Sequence, residues 1–302
     1  MNTREWALLA FTILGQTAAG LMIVLMIVRT FIAEKSGNDL ADRLTNRPLF
    51  MMVPVMALAL LASLLHLGSP LHIVRAIPNI DSSWLSREVV LAVSLVVFAA
   101  LFTFLQWRQV GSKSLRTVIG WITAVIAAVY VYAMGMVYMI PTQPSWNTFA
   151  TPLTFIAGSL LLGTLAMAVG LVAGHALEKE KKGEDSNLIH TILQGLAVTA
   201  IFLLGVEFLV LPLYLAYLAT QGTAALQSLN MMVGSYGAVL FLRLLVLFLG
   251  AGVLAAYLYR NASVLEKEKT LVTLAYSAFA LVLVGEVLGR FIFYATHYRI
   301  GI

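Results

Sequence analysis

The sequence predicts an all-α, polytopic membrane fold with eight transmembrane helices. Three observations carry this. Of 302 residues, 61% are hydrophobic and 11% charged, with a mean hydropathy of +0.93, whereas soluble domains carry about 25% charged residues. One water-soluble core cannot hide that much apolar surface. Eight apolar runs, at about 6–32, 49–69, 88–106, 117–140, 150–173, 190–218, 233–258 and 270–296, each approach or exceed the ~20 residues a spanning helix needs. Charges, Pro, Asn or Gly break each run from the next. Helices follow because a lone strand cannot satisfy its backbone in lipid.

Taken in order, the first run has no small-residue cleavage site and exceeds a signal-peptide core, so it reads as a retained anchor. The second closes on Leu65-His66-Leu67-Gly68-Ser69-Pro70, and the third opens on Glu88. After the fifth, a charged stretch from Glu178 to Asp185 lies inside the connection 174–189. It divides one membrane domain, 1–302, into groups of four helices at 1–173 and 190–302, a division that suggests two adjacent four-helix bundles. The sixth run holds Glu207 and, five residues on, Pro212, which is expected to kink it. The seventh carries Arg243, and the eighth carries Glu286 and Arg290.

Lys and Arg in the loops set the orientation. Lys35, Arg43, Arg47, Arg108, Lys113, Arg116, Lys179, Lys181, Lys182, Arg260, Lys267 and Lys269 fall on one side. Arg4, Arg75, Arg87 and Arg299 fall on the other. Both termini are therefore expected outside the cytoplasm, on the periplasmic side of a bacterial inner membrane. The net charge of +5 reflects this topology and marks no nucleic-acid patch. With no cysteine, the protein has no disulfide, no thiol nucleophile and no iron–sulfur ligation of its own. The outward loop Pro70–Arg87 mixes apolar, aromatic and polar residues, as a segment packed at the interface would. Trp84 and Trp146 stand where interfacial belt residues are expected, or where a partner docks.

Ionisable groups inside a membrane are functional candidates by default. Helix position puts His66 and Glu88 within about one turn of the outer face, Arg290 roughly 9 Å down, and Gln16, Glu207, Arg243 and Glu286 roughly 15 Å down. The inner half reads as almost purely apolar. Glu286 and Arg290 share a helix face at the favourable acid-before-base spacing, and Glu207 and Arg243 sit at like depth with opposite charge. These four either neutralise one another, line a proton exit or hold a bound headgroup. Gln16 reads as a hydrogen bond to a neighbouring helix or as a ligand contact.

His66 and Glu88 point to proton-coupled chemistry. Oxidising a quinol removes two electrons and two protons, so a site needs two acceptors for its hydroxyls. A neutral imidazole suits this because its ordinary pKa, about 6.5, lies near working pH. A partly buried carboxylate is the second acceptor. A b-type haem is not expected: it wants axial histidine pairs at matching depth, and of His66, His72, His175, His190 and His297 only His66 and His297 are both near the outer face. No metal ligand set is read from the sequence.

These residues resemble a family. Leu64 to Pro70 followed by Leu85-Ser86-Arg87-Glu88-Val89 resembles the membrane anchor subunit of bacterial dimethyl sulfoxide reductase. So do Gly285-Glu286-Val287-Leu288-Gly289-Arg290 with Phe293, Tyr294 and His297, Ser235 to Ala238 with Arg243, and Phe11 to Gln16. The resemblance implies a three-subunit complex of anaerobic respiration. A molybdenum cofactor and iron–sulfur clusters would sit on the partner subunits, and this protein would take electrons from menaquinol without haem. It implies a quinol site at His66 and Glu88, with Gly68, Arg87 and Gln16 as further contacts, and an outward face that docks the iron–sulfur subunit. The competing reading is a secondary transporter or proton channel that uses the buried Glu and Arg groups. The absence of paired broken helices at matching positions disfavours it.

Overall fold

A computed structural model describes residues 3–66, 78–177, 185–262 and 268–300. All described secondary structure is helical, and eight segments are long and apolar enough to cross a membrane. The helices are α1 (Thr3–Ser36), α2 (Asn38–His66), α3 (Trp84–Arg108), α4 (Lys113–Met136), α5 (Ala150–Leu177), α6 (Asp185–Leu218), α7 (Thr223–Asn230), α8 (Gly237–Leu247), α9 (Ala255–Asn261) and α10 (Glu268–Ala295). Eight crossings bring both ends of the polypeptide to one side, the terminal face. The turns at the opposite end form the basic face.

The seventh span is the one the hydropathy pattern describes least well. Short α7 precedes it, a π-helical turn at Met231–Ser235 leads into α8, and a second π-helical stretch, Phe248–Leu254, joins α8 to α9. Such widened turns shift the register of the residues around them and cluster at functional sites. Here they bracket the helix that carries Arg243. The first span runs on to Ser36, and α2 begins at Asn38, eleven residues before the apolar run. Only Gly37, at φ 85°, separates the two helices, a left-handed turn that glycine makes without strain. Pro212 sits inside α6, which continues through it from Asp185 to Leu218.

The centre of the molecule is the α1–α5 crossing. Both helices are 83% buried over their most apolar stretch, against 22–50% for the other spans. Small residues make the crossing possible. A Cβ on Gly20 would stand 1.8 Å from the Ser159 carbonyl oxygen, and one on Gly163 would stand 2.1 Å from the Gly20 carbonyl carbon. Backbone contact of this kind is how helices associate in lipid, where burial of apolar area no longer drives them together. Around this pair α2 and α4 pack on α1, and α6 and α10 pack on α5. Large apolar side chains such as Leu61, Phe202, Leu209 and Phe241 face outward, as lipid contact requires.

The basic-face half of the membrane is less apolar than its sequence suggests. Arg29 of α1 is fully buried and donates to Asp42 Oδ1 at 2.6 Å and to the Thr117 hydroxyl at 2.9 Å. Arg116 of α4 approaches Asp42 Oδ2 at 3.3 Å, and Gln106 of α3 donates to Asp42 Oδ1 at 3.0 Å. A buried clamp thus ties α1, α2, α3 and α4 together. By hydropathy alone Asp42 and Arg116 fall in solvated loops, and Arg29 at the rim of its run. Instead they satisfy one another, as buried ions must, and this keeps the polar first turns of α2 helical.

Candidate functional site

Two groups of polar residues lie beneath the terminal face, and an aromatic cluster stands between them. The first is at the rim, where α2 ends and α3 begins. His66 is the last residue of α2; its side chain, like Gly68, Ser69 and Pro70, lies outside the described residues. Of the outward loop, residues 70–77 also lie outside them. From Asn79 the polypeptide turns into α3, whose N-cap Ser83 accepts from the Ser86 amide at 3.4 Å. Arg87 braces this turn, with Nε donating to the Ile80 carbonyl and Nη2 to the Asp81 carbonyl, both at 2.8 Å. Its guanidinium lies over the Trp84 ring, 4.3 Å from the centroid. Two of its donor atoms are therefore occupied by local backbone.

Glu88, on the next step of the helix, turns inward and is 7% exposed. It has no ion-pair or hydrogen-bond partner among the described residues. Its carboxyl lies within electrostatic reach of the hydroxyls of Tyr130, Tyr138 and Tyr294. Tyr138 and Tyr294 hydrogen-bond each other, hydroxyl to hydroxyl, at 2.7 Å. The Tyr130 hydroxyl is buried against Gly15 and has no hydrogen-bond partner among the described residues. Burial, with Tyr294 and Glu88 nearby, holds the Tyr138 hydroxyl well above the usual phenol range. It stays protonated and acts as a neutral donor and acceptor. Tyr294 enters the sequence reading only as part of a family motif, and nothing in the sequence marks Tyr130 or Tyr138 as a polar site group. Among 11 Tyr, rings near helix ends read as belt residues.

The second group lies deeper. Arg243 Nη2 donates to Glu207 Oε2 at 2.7 Å and stands 3.9 Å from Glu286 Oε1. One guanidinium thus joins α6, α8 and α10. The i, i+4 pairing of Glu286 with Arg290 is not the contact made. Arg290 turns to α1 and α5 instead, where its Nη2 donates to Gln16 Oε1 at 2.8 Å and its guanidinium lies over Phe155, 3.6 Å from the centroid. Gln16 is fully buried, and its Nε2 donates to the Phe155 carbonyl at 2.7 Å. Its amide therefore positions Arg290. Glycines make room for these ions. A Cβ on Gly158 would stand 2.6 Å from Glu286 Oε2 and 3.5 Å from Glu207 Oε1, and one on Gly289 would stand 2.4 Å from Arg243 Nε. Glu207, Arg243, Glu286 and Arg290 all line a small open cavity of about 90 Å³.

Between the groups, Trp146 donates its Nε1–H to the Phe293 carbonyl at 2.9 Å, stacks on the Phe293 ring and carries the His297 ring at 4.7 Å. Trp146 is therefore a packing centre of this cluster. Tyr138 and Phe155 pack into the same cluster. His297 Nδ1 is occupied by the Tyr294 carbonyl at 2.7 Å. Among the described residues no three His, Asp or Glu side chains converge as a metal ion would need.

Residues 1–296 match the family model described as DMSO reductase anchor subunit (DmsC). Over 302 residues the sequence is 29% identical to the C subunit of anaerobic dimethyl sulfoxide reductase from Escherichia coli K12, spanning 98% of this protein and 96% of that one. It is 26% identical over 304 residues to the subunit of the same name from Haemophilus influenzae, spanning 100% of this protein and 98% of that one. It is 27% identical to the YnfH subunit of anaerobic dimethyl sulfoxide reductase from Escherichia coli K12, over 98% of this protein and 96% of the other. A match along nearly the whole length, on eight apolar spans, places this protein in the DMSO reductase anchor subunit family.

Proposed function

We propose that this protein anchors a molybdenum-enzyme complex in a bacterial inner membrane, oxidises menaquinol at its terminal face and passes electrons to a docked iron–sulfur subunit. The observation that carries the reading is Glu88, a nearly buried carboxyl with no protein partner among the described residues, within two turns of the start of its helix. An unpartnered buried acid is costly to keep, and here it leaves an acceptor free for a quinol hydroxyl. His66, ending the neighbouring helix, supplies the second acceptor. Each takes a proton as the electrons leave. The Tyr138–Tyr294 pair next to Glu88 offers the following hydroxyls for that proton. These tyrosines relay only by accepting one proton while releasing another, since Tyr138 itself stays neutral.

The partners follow from the relatives, which are named as parts of a dimethyl sulfoxide reductase. Molybdenum and iron–sulfur groups would sit on other subunits, since this protein has no cysteine to hold a cluster. The excess of Lys and Arg at the basic face supports periplasmic termini, an orientation in which the rim would share the side of a periplasmic iron–sulfur partner. The mutual pairing of Arg243, Glu207 and Glu286 favours fixed counter-ions over a transported charge.

The test is turnover of the purified complex with a menaquinol analogue, and separately with a soluble reductant that feeds the partner subunits directly. His66→Ala and Glu88→Gln are expected to lower the first by about 10²–10⁴-fold, the usual range for losing a proton acceptor, and to leave the second unchanged. Quinol-dependent turnover that survives both changes would place the site elsewhere.

A further inference from the structure

At the basic face, far from the rim chemistry, a lipid-facing groove ends at a cation that has no acid to answer it. Ala100, Thr103, Phe104 and Trp107 recur at i, i+3, i+4 and i+7, so they share one face of α3. With Phe50 and Val53 of α2 they line a groove of about 370 Å³, within the range of pockets that hold small ligands. Phe104 is 51% and Trp107 66% exposed, and α2 and α3 are membrane spans, so the groove opens to lipid. Phe50 lies in the first turn of its apolar run and Trp107 in the last turn of α3, the depth at which acyl chains meet headgroups. At the mouth, the Arg108 guanidinium stands 5.6 Å from the Trp107 ring centroid. We propose that this groove holds one structural phospholipid with an anionic head, its acyl chain between α2 and α3 and its phosphate on Arg108.

Charge selects the head. Among the described residues Arg108 meets no carboxylate, whereas Lys113 at the start of α4 pairs with Asp39 at 2.6 Å. Just inside, Arg29 and Arg116 share the single carboxylate of Asp42, so the buried clamp also keeps one positive charge in excess. Basic pockets between spans favour anionic headgroups. A zwitterionic head brings its own cation to this end, and a neutral carrier offers Arg108 nothing. Thr103 supplies the contact between head and chain. Thr117, Thr123 and Thr154 turn their hydroxyls back to the carbonyl four residues earlier. The Thr103 hydroxyl makes no such bond; it is buried and has no hydrogen-bond partner among the described residues. Thr103 lies about 7.5 Å along the helix from Arg108, where the ester carbonyls of a lipid follow its phosphate, and its hydroxyl donates to one of them.

Native mass spectrometry of the full-length protein in mild detergent tests this, with phosphatidylglycerol and phosphatidylethanolamine of identical acyl chains as the probes. We expect one phosphatidylglycerol to be retained under conditions that strip phosphatidylethanolamine. Arg108→Gln should weaken retention by about fivefold, the usual worth of one basic residue at an anionic surface. Arg260→Gln removes the same charge from the same face at the end of α9 and should change nothing. Thr103→Val keeps the shape of the wall and should weaken retention through the lost hydroxyl alone. Ala100→Trp fills the groove and should abolish retention, while Val125→Trp, at a lipid-facing position of α4, should not. Equal retention of the two lipids, a loss in Arg260→Gln as large as in Arg108→Gln, or full retention in Ala100→Trp would each overturn the proposal.

Discussion

Arg243 shows at the scale of one residue how this protein tolerates charge in lipid. Its guanidinium answers Glu207 at 2.7 Å and Glu286 at 3.9 Å, with Gly289 clearing the space it occupies. Removing it strands two buried carboxylates, and breaking a buried pair in this way typically costs about 3–5 kcal/mol. We expect Arg243→Ala to lower the thermal midpoint of the detergent-solubilised protein sharply, and the added change Glu207→Leu to recover part of the loss. An Arg243→Ala protein as stable as the wild type would mean the ions are solvated. That Glu207, Arg243 and Glu286 share one depth is legible from residue counting along each span. Which guanidinium meets which carboxylate is not. Periodicity favours Glu286 with Arg290, but Phe155 and Gln16 of neighbouring helices offer Arg290 a ring face and an amide oxygen. Those partners are 135 and 274 residues away in sequence, and no local pattern reports them.

At the scale of elements, close backbone contact joins the first and fifth spans at the centre of the protein. Gly20 and Gly163 let α1 and α5 touch main chain to main chain. Gly20→Val must push the helices apart, because its Cβ would fall 1.8 Å from a carbonyl oxygen. We expect little protease-resistant protein in the membrane. Gly205→Val is the control, with nothing within 4 Å of its Cβ, and should accumulate normally. The Asp42 clamp is a second element-level device. Asp42→Asn removes the carboxylate that Arg29 and Arg116 share. A loosened α1–α4 end should show as faster hydrogen exchange in the first turns of α2 and α4, and unchanged exchange there would contradict the clamp. The eight spans themselves are plain from hydropathy, since composition alone decides what can sit in lipid. The early start of α2 is not plain, because Asp42 and Arg47 look like loop residues until Arg29 and the Gly174 carbonyl are seen to partner them. The π-helical turns around α8 leave no mark in the pattern, as a π turn changes register without changing hydropathy.

At the scale of the whole molecule, polarity is arranged by face. Glu88, the tyrosine pair and the cavity ions lie towards the face that holds both termini, and the Arg29–Asp42–Arg116 clamp lies towards the other. This arrangement suits a quinol that discharges next to a docked cluster, provided the terminal face is periplasmic. Because the protein has no cysteine, single cysteines report its orientation without background. The most direct measurement is labelling of Ser82→Cys and Ser112→Cys, which lie in the turns before α3 and α4, in intact cells with a membrane-impermeant maleimide. We expect Ser82→Cys to react from outside and Ser112→Cys to react only after the membrane is opened. The opposite pattern would put the proton-accepting rim in the cytoplasm, apart from a periplasmic partner, and would contradict the proposed route of electrons.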